Sequence, residues 1–343
     1  MGDLNRAVDL ASQAIQATPQ NHLDRPNRLS NLGVRLRTRF KQTDSMDDLN
    51  RAIGVTSQAI SATPENHPDR AHILNNLVTL LGMRFARTDS IDDLNRAVDL
   101  AGQVVDTTPQ NHPDRAAWLD NLGFWLSRRF ERTGSMDDLN RAIDVCDQAV
   151  DGTPQDHPDQ AIWLTNLGTR LYTRFERTGS MNDLNRAIDV ADQTVDITPE
   201  GHFDQASCLI NLEIKLSRRF EQTGSMDDLN RAINLACQAV DATPQDDPDR
   251  ASWLTNLGIR LRMRFNQTGS IADIDRAIDV GGQAVDVTPR DHPERAGRLS
   301  NLGTRSGRDS NIMARRTTSI VPSTPLVKQS LPRNEITPIE LAG

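Results

Sequence analysis

The five letters DLNRA, at residues 138–142, decide how this chain folds, because they recur along it at one spacing. A near copy, DIDRA, begins at Asp273. The other copies of DLNRA begin at Asp3, Asp48, Asp93, Asp183 and Asp228, so that every interval is 45 residues. A fixed period between about 20 and 50 residues is typical of stacked-repeat proteins, in which each unit buries its apolar face against its neighbours. The sequence therefore predicts one array of equal units.

The bulk composition suits such an array. Of the 343 residues, 36% are hydrophobic, which fits a thin core under a large surface. A net charge of −8 argues against general binding to nucleic-acid phosphates. The three cysteines have no metal-binding or disulfide spacing, no apolar run is long enough to cross a bilayer, and the acidic N-terminus is unlike a signal peptide. These features predict a cytoplasmic protein that does not act at a membrane.

One repeat is predicted to contain two helices. Ser135 stands where a helix N-cap is expected, and Asp138 brings a carboxylate to the first turn. Apolar or small residues then recur at steps of three and four, at Leu139, Ala142, Ile143, Cys146, Ala149 and Val150. Because the residue before a proline leaves the helical region, this helix is predicted to end near Thr153.

The other helix of the repeat is predicted to begin near Pro158, since proline suits a first helical turn. Its buried stripe is formed by Leu164, Leu167, Leu171 and Phe175. Gly179 is predicted to stop this helix, and Ser180 to cap the next one. No part of the repeat has the pattern of a strand, so the fold class is all-α.

The pair of helices resembles the tetratricopeptide repeat. One helix, here called first-type, carries the L-x-x-L-G-x-x-L pattern at Leu119, Leu122, Gly123 and Leu126. Its partner, here called second-type, carries Ala142, Cys146, Ala149 and Pro154. The resemblance implies a right-handed α-solenoid of antiparallel helix pairs. The family's usual unit has about 34 residues, so units of 45 residues predict longer helices and are similar to fungal arrays joined to caspase-like (CHAT) or NOD-like receptor modules.

The pattern also predicts the domain organisation. A tetratricopeptide-like superhelix occupies residues 1–305, and a Ser-, Thr- and Pro-rich tail that is predicted to be disordered occupies 306–343. The superhelix begins with a lone second-type helix at 2–17, continues with six helix pairs, and ends in a partial seventh unit. The first-type helices are predicted to begin near residues 24, 69, 114, 159, 204 and 249. Neither end reads as a polar capping helix, so we expect the array to be a piece of a longer one.

Comparison of the units with one another predicts a binding face. Beside the fixed leucines of the first-type helix, three columns of residues vary, and their spacing places them on one side of the helix. In tetratricopeptide proteins the first-type helices line the concave surface, which implies that these columns contact a ligand. The alternative is that exposed positions simply drift. The candidate residues are Asp120, Thr165, Ile210 and Thr255 in one column, and Phe124, Thr169, Ile214 and Ile259 in another. The third column contains Ala117, Ile162, Ser207 and Ser252.

An asparagine stands between these columns in every unit. Its side chain offers a donor and an acceptor and could therefore hold a peptide main chain of any sequence, as a similar ladder does in some long tetratricopeptide superhelices. Alternatively, each asparagine ties neighbouring helices together, and the sequence favours neither interpretation. The candidate asparagines are Asn76, Asn121, Asn166, Asn211 and Asn256.

Other recurring columns are interpreted as structural. An arginine before each Phe, as in Arg129, is predicted to pair with the acidic second-type helix, and binding of an acidic ligand is the less favoured alternative. The column that contains Trp118 predicts packing between units, and the histidines before the first-type helices are predicted to be turn residues.

One further varied column is assigned to the binding face. It consists of Arg35, Leu80, Trp125, Arg170, Lys215 and Arg260.

These patterns predict a non-catalytic scaffold. The residues contain no phosphate-binding loop, no nucleophile motif and no Cys–His pair in a catalytic context, so neither an enzyme nor a cofactor or metal site is predicted. The expected partner is a protein or extended peptide, bound along the concave face as the sensing arm of a larger protein. An RNA-binding helical repeat is the alternative, which the acidic charge disfavours.

Overall fold

A computed structural model describes residues 2–65, 67–202 and 204–299, and the described part of the chain is helical without strands. Residues 295–299 are also helical. The other helices are α1 (Gly2–Gln16), α2 (Arg25–Thr43), α3 (Met46–Ala62), α4 (Arg70–Thr88), α5 (Ile91–Thr107), α6 (Arg115–Thr133), α7 (Met136–Asp151), α8 (Gln160–Thr178), α9 (Met181–Ile197), α10 (Gln205–Thr223), α11 (Met226–Ala242), α12 (Arg250–Thr268) and α13 (Ile271–Asp286).

The first-type helices are α2, α4, α6, α8, α10 and α12, and each begins one residue after its predicted start. Each ends in a left-handed residue whose N–H donates to a phenylalanine carbonyl four residues earlier. Gly179, at φ 72°, does this in α8, as predicted. In α2 and α4 an aspartate holds the same conformation at φ 55°, which costs a residue with a side chain more than it costs glycine.

The second-type helices α3, α5, α7, α9, α11 and α13 start at a serine N-cap. Before α7, Ser135 has extended backbone angles, and its hydroxyl accepts from the N–H of Asp138 at 3.3 Å. The predicted cap is therefore confirmed. The helix ends at Asp151, slightly before the predicted end near Thr153.

The helices form two compact units, one within residues 1–244 and one within 245–343. In the first unit each first-type helix packs antiparallel on the second-type helix that follows, and neighbouring pairs stack through helices such as α5 and α6. Buried leucines form its core, including Leu36, Leu49, Leu94, Leu126 and Leu171. Burial of each stabilises the fold by about 1.5–3 kcal/mol.

In the second unit α12 packs on α13 in the same way, around Leu257, Leu261 and Ile274. The fold is thus all-α, an α-solenoid of antiparallel helix pairs, and its right-handed sense stays a prediction. The partial seventh unit beyond residue 299 and the tail at 306–343 lie outside the described residues.

The repeated DLNRA stretch acts at several levels of packing. In residues 138–142, Leu139 and Ala142 are fully buried in the helix hairpin. The Asp138 carboxylate accepts two hydrogen bonds from Arg129 of its own pair, and Asn140 accepts one at 3.0 Å from Arg174 of the next. One short stretch therefore closes a hairpin and joins it to its neighbour. The fixed spacing repeats both contacts along the first unit, as far as Arg219, which binds Asp228 and Asn185.

Candidate functional site

The recurring arginines are engaged in the hairpins and do not form an open cationic row. Arg129 binds Asp138 in a bidentate pair, with Nε–Oδ2 at 2.8 Å and Nη2–Oδ1 at 2.6 Å. The predicted pairing across the hairpin is confirmed, and both side chains are more buried than a surface pair. Where Arg174 makes the same contact, its hydrogen bonds hold the pKa of Asp183 below the usual range. Equivalent pairs are Arg39–Asp48, Arg84–Asp93, Arg174–Asp183, Arg219–Asp228 and Arg264–Asp273.

Two of the three varied columns, those of Asp120 and of Phe124, differ in how much surface they offer. Phe124 is 46% exposed and Ile214 is 36% exposed, and Thr169 is also exposed. Ile210, by contrast, is only 3% exposed and offers almost no side-chain surface. The remaining members are half-buried: Asp120, Thr165, Thr255 and Ile259. A role for these residues in ligand binding stays a prediction.

The asparagine column divides into two groups. Asn121 donates to Asn75 of the preceding unit at 2.7 Å, and Asn166 donates to both carboxylate oxygens of Asp120 at 2.9 and 3.0 Å. These two amides tie neighbouring first-type helices together. Burial raises the pKa of the Asp120 carboxyl, against the opposing effects of Arg170 and of the hydrogen bond from Asn166.

The other members make no such tie within the described part of the chain. The side chains of three of them are half-buried without a hydrogen-bond partner among the described residues: Asn76, Asn211 and Asn256. Thr165 stands 46 residues before Asn211, at the position that Asn75 and Asp120 hold relative to Asn121 and Asn166. The threonine side chain is shorter than that of asparagine or aspartate. The amide of Asn211 is consequently available to an external group.

The further varied column assigned to the binding face is buried in the middle of the array, so that part of the prediction is wrong. Leu80, Trp125, Arg170 and Lys215 all lie within the stack. Trp125 fills the space above Gly82, where a Cβ would lie 2.0 Å from the indole ring. Trp125, Arg170 and Lys215 each contact a different residue type of the first-type helix before them.

The two buried charged members of this column, Arg170 and Lys215, also contact the first-type helix before them. Arg170 Nε donates to the Ser127 hydroxyl at 3.0 Å. Lys215 Nζ lies 5.8 Å from the centre of the Tyr172 ring and donates to the carbonyl of Asn211 at 3.1 Å. Burial lowers the pKa of Lys215 to about 8. A signal for this pairing exists in the sequence, since each partner lies 43 residues before its mate.

The Trp118 column packs between units, as predicted. The centre of the Trp118 ring lies 5.3 Å from the centre of the His72 ring on the preceding first-type helix. It also stacks on the His112 ring, with the two ring centres 4.8 Å apart. His112 is a turn residue, because its Nδ1 accepts from the N–H of Asp114 at 3.1 Å. Among the described residues, no group of three or more His, Cys, Asp or Glu side chains could hold a metal ion.

Exposed large apolar side chains occur on helices of both types, and three of them lie on the first-type helices of the middle units. Phe124 on α6, Ile162 on α8 and Ile214 on α10 are 46%, 52% and 36% exposed. We call these three residues the apolar triplet. A set of large exposed apolar residues on adjacent helices marks a contact surface more often than a single one does. Ile162 belongs to the third varied column, which the sequence also assigns to the binding face.

Two cavities open beside predicted binding residues. Thr165, Asn166 and Asn211 line one of about 210 Å³ between α8 and α10. Thr255 and Asn256 line another of about 370 Å³ within the second unit. No described helix combines the length and apolar character that a membrane span requires.

The fold and the tied hairpins define the chain as a helical-repeat protein built from helix pairs. The sequence model of the tetratricopeptide repeat matches residues 115–159, which is one full unit with α6 and α7. The remaining units repeat that stretch in register. The chain therefore contains a tetratricopeptide repeat at residues 115–159, and its other units repeat the sequence pattern of that one.

Several solved structures are similar to this chain. A putative kinesin light chain of Podosopora anserina with nearly identical TPR-like repeats is 18% identical, over 64% of this chain and 96% of that one, with a TM-score of 0.46. The pilF protein of Pseudomonas aeruginosa is 16% identical, over 80% and 99%, with a TM-score of 0.48. MamA is 15% identical, over 57% and 89%, with a TM-score of 0.40. No curated protein sequence matches the chain.

Proposed function

We propose that this protein is a non-catalytic scaffold that binds an extended peptide segment of a partner protein across its first-type helices. The observation that carries the proposal is the apolar triplet, Phe124, Ile162 and Ile214, which lies on three first-type helices beside half-buried polar groups. Peptide recognition needs both kinds of group, because apolar side chains supply affinity and polar groups fix the main chain. Tetratricopeptide arrays generally mediate protein–protein interactions, which supports the same function.

The charge of the array favours a protein partner over RNA. The recurrent arginines are paired with aspartates, as in Arg129–Asp138, and the chain carries a net charge of −8. Binding of single-stranded RNA relies on cationic groups that neutralise phosphates and on aromatic rings that stack with bases. An RNA-binding helical repeat is the alternative, and it predicts affinity that falls steeply with salt.

We also propose that the array serves in the cytoplasm as the sensing or regulatory arm of a larger CHAT-type or NOD-like receptor-type protein. This part rests on the resemblance of the 45-residue units to those of such fungal proteins. None of the three cysteines, which all lie in the described part of the chain, forms a disulfide there, which is in keeping with a reducing compartment. Sequencing of the transcript that encodes the array tests it, and a transcript without either type of module contradicts it.

The binding function can be tested with a displayed library of random peptides. The full chain is immobilised, peptides are selected on it, and their affinities are measured by fluorescence anisotropy. In the double variant Phe124→Asp, Ile214→Asp we expect affinity to fall at least 10-fold, because two carboxylates replace apolar contacts. Selection of no peptide at all, together with binding of oligouridine, favours the RNA alternative.

A matched control comes from the second-type helices. Leu10 and Ile91 are 55% and 41% exposed, similar to the substituted pair, but they lie on α1 and α5. The variant Leu10→Asp, Ile91→Asp changes the charge equally and should bind the selected peptides as the unchanged protein does. Equal losses in both variants contradict a binding face on the first-type helices.

A further inference from the structure

Arginines at the start of several first-type helices cap the second-type helices that precede them. Arg115, the first residue of α6, donates through Nη1 to the carbonyls of Val105 and Thr108 at the end of α5, at 2.9 and 2.6 Å. Carbonyls at a helix C-terminus have no partner within the helix and carry partial negative charge, so a guanidinium suits them. Equivalent contacts are made at the ends of α1, α3 and α13 by Arg25, Arg70 and Arg295.

The end of α7 lacks this arginine. Gln160, the first residue of α8, stands where Arg115 stands in the preceding pair, and its side chain is shorter and uncharged. Gln160 is 5% exposed, and its Oε1 has no hydrogen-bond partner among the described residues. The carbonyl of Thr153, which corresponds to that of Thr108, also accepts no hydrogen bond from a described residue. A buried acceptor without a donor destabilises the fold, so a donor from outside the chain is favoured there.

The next layer also replaces the arginine but satisfies its glutamine. Gln205 begins α10, and its Oε1 accepts from the N–H of Gly201 at 2.9 Å. Gly201 has a positive φ of 79°. Asp156 stands at the equivalent position before Gln160 and does not adopt that conformation. The missing donor is therefore a property of the layer that contains Gln160.

A cavity of about 670 Å³ adjoins this uncapped helix end. It lies between the α5–α6 and α7–α8 connections. Thr153 lines it, and so does Asp159, which directly precedes Gln160. Ligand pockets have volumes of about 300–1,000 Å³. The cavity is consequently large enough to admit a side chain that reaches the end of α7 from outside.

The charges around the cavity favour a cation. The positively charged lining residue is Arg115, whose Nη1 is already bonded to the carbonyls at the end of α5. His112 and His157 also line the cavity, but each accepts a backbone N–H at Nδ1, as only an uncharged imidazole can. Three carboxylates line the cavity: Asp114, Asp151 and Asp159.

A guanidinium matches this site better than an ammonium does. It is planar and carries five N–H donors, so it can bind a carbonyl and a carboxylate together and stack on an aromatic ring. Trp163, three residues after Gln160, lines the cavity and supplies such a ring. The chain itself places guanidinium groups at the equivalent helix ends, as Arg115 does.

We infer that the cavity at the end of α7 binds an arginine side chain of a partner protein, whose guanidinium donates to Gln160 Oε1 and to the Thr153 carbonyl. This guanidinium supplies the cap that Arg115 supplies for α5, and the carboxylates of Asp151 and Asp159 offset its charge. The site is formed mainly by connections and helix ends and not by the apolar triplet, so the inference goes beyond the proposed function.

The test follows the indole N–H signals of the full chain, labelled with ¹⁵N-tryptophan, during titration with Nα-acetylarginine amide. The signal of Trp163 is assigned from its loss in Trp163→Phe. We expect this signal to shift saturably, while the signal of Trp253, which lies in the second unit, stays unchanged. Nα-acetylcitrulline amide, the neutral isostere, should cause no saturable shift, and Nα-acetyllysine amide should bind at least about 3-fold more weakly than the arginine ligand.

Two matched variants locate the binding site. Gln160→Arg provides the missing cap from the chain itself and should weaken binding of the arginine ligand at least about 10-fold, because its guanidinium occupies the acceptors and repels a second cation. Gln205→Arg makes the same change one layer later and should leave the affinity within about 2-fold of the unchanged protein.

The contrary results are equally specific. The inference is overturned if the Trp163 signal does not shift saturably, if Gln160→Arg binds as tightly as the unchanged protein, or if the citrulline or lysine ligand binds as tightly as the arginine ligand. Should Gln160→Arg lose its helical circular dichroism, Asp151→Asn serves instead, because Asp151 is exposed; unaltered affinity there also overturns the inference. Each of these results leaves peptide binding by the first-type helices standing, since the library selection tests that separately.

Discussion

Two kinds of helix–helix contact in the array differ in how they are built. We call the contact within a helix pair the constant joint, and the contact between successive first-type helices the varied joint. The joint inside each hairpin is the same in all described pairs, with Arg Nη2 and Asp Oδ1 separated by 2.5–2.6 Å six times over. The joint between successive first-type helices is different at each layer: an indole over a glycine at Trp125 and Gly82, then a guanidinium on a serine at Arg170 and Ser127.

This difference separates two tasks. The constant joint fixes the shape of one unit, so that any unit can be copied. Near-identical neighbours are, however, prone to misassembly, since a hairpin can pack on the wrong copy. Varied joints between first-type helices give each layer its own partner, and the varied residues that remain exposed can then serve binding.

Breaking the constant joint should have the largest effect. Asp138→Ala leaves the Arg129 guanidinium without its carboxylate in a mostly buried position, and we expect a loss of ~2–4 kcal/mol in the free energy of unfolding. The measurement is urea denaturation followed by circular dichroism. Asp137→Ala, one residue earlier and exposed, is the control and should change it by less than ~0.5 kcal/mol. Similar losses in the two variants would mean that the pair contributes little.

Disturbing a varied joint should cost less and should be repairable. Gly82→Ala places a methyl group 2.0 Å from the Trp125 ring, and we expect a loss of ~1–3 kcal/mol. Adding Trp125→Leu, the residue type that Leu80 supplies in the preceding unit, relieves the clash. A double-mutant cycle from urea denaturation measures the coupling. Additive effects contradict a matched pair.

The Lys215 joint should respond to pH in a defined direction. Burial lowers its pKa to about 8 in the folded protein, below its usual value of 10.5. The unfolded chain therefore binds more protons between these values, and stability rises with pH across that window. Lys215→Met should raise stability by ~1–3 kcal/mol at pH 7 and remove the rise between pH 8 and 10.5. Thermal unfolding of both proteins across this pH range measures the change in stability. If the stability of the variant still rises with pH as steeply as that of the unchanged protein, the prediction is wrong.

The constant joint was predictable from sequence and the varied joint was not. Helix starts, serine caps and the arginine–aspartate pairs follow from local patterns that recur in every unit, as Ser135 and Asp138 show. A position that varies between units can be exposed, or it can be buried against a residue of the preceding unit that also varies. Variation by itself does not distinguish these two cases. Trp125 and Lys215 were therefore assigned to the binding face although they are buried.

The asparagine column was unpredictable for a related reason. Whether an asparagine ties two helices depends on the length of one side chain in the preceding unit. Asp120 reaches Asn166, but Thr165 does not tie Asn211. The asparagine itself is the same in every unit, and the residue that separates the two cases lies 46 positions earlier, which the structure shows and the column alone does not.

Site-specific photocrosslinking tests most directly whether the varied, exposed side of the first-type helices is the binding surface. Benzoylphenylalanine is placed singly at Phe124, Ile162 and Ile214, and at the comparably exposed Leu10 and Ile91 of the second-type helices, and a library-selected peptide is irradiated with each variant. We predict crosslinks from the first three positions and none above background from the other two. Crosslinks from Leu10 or Ile91, with none from the apolar triplet, would contradict the assignment of binding to the first-type helices.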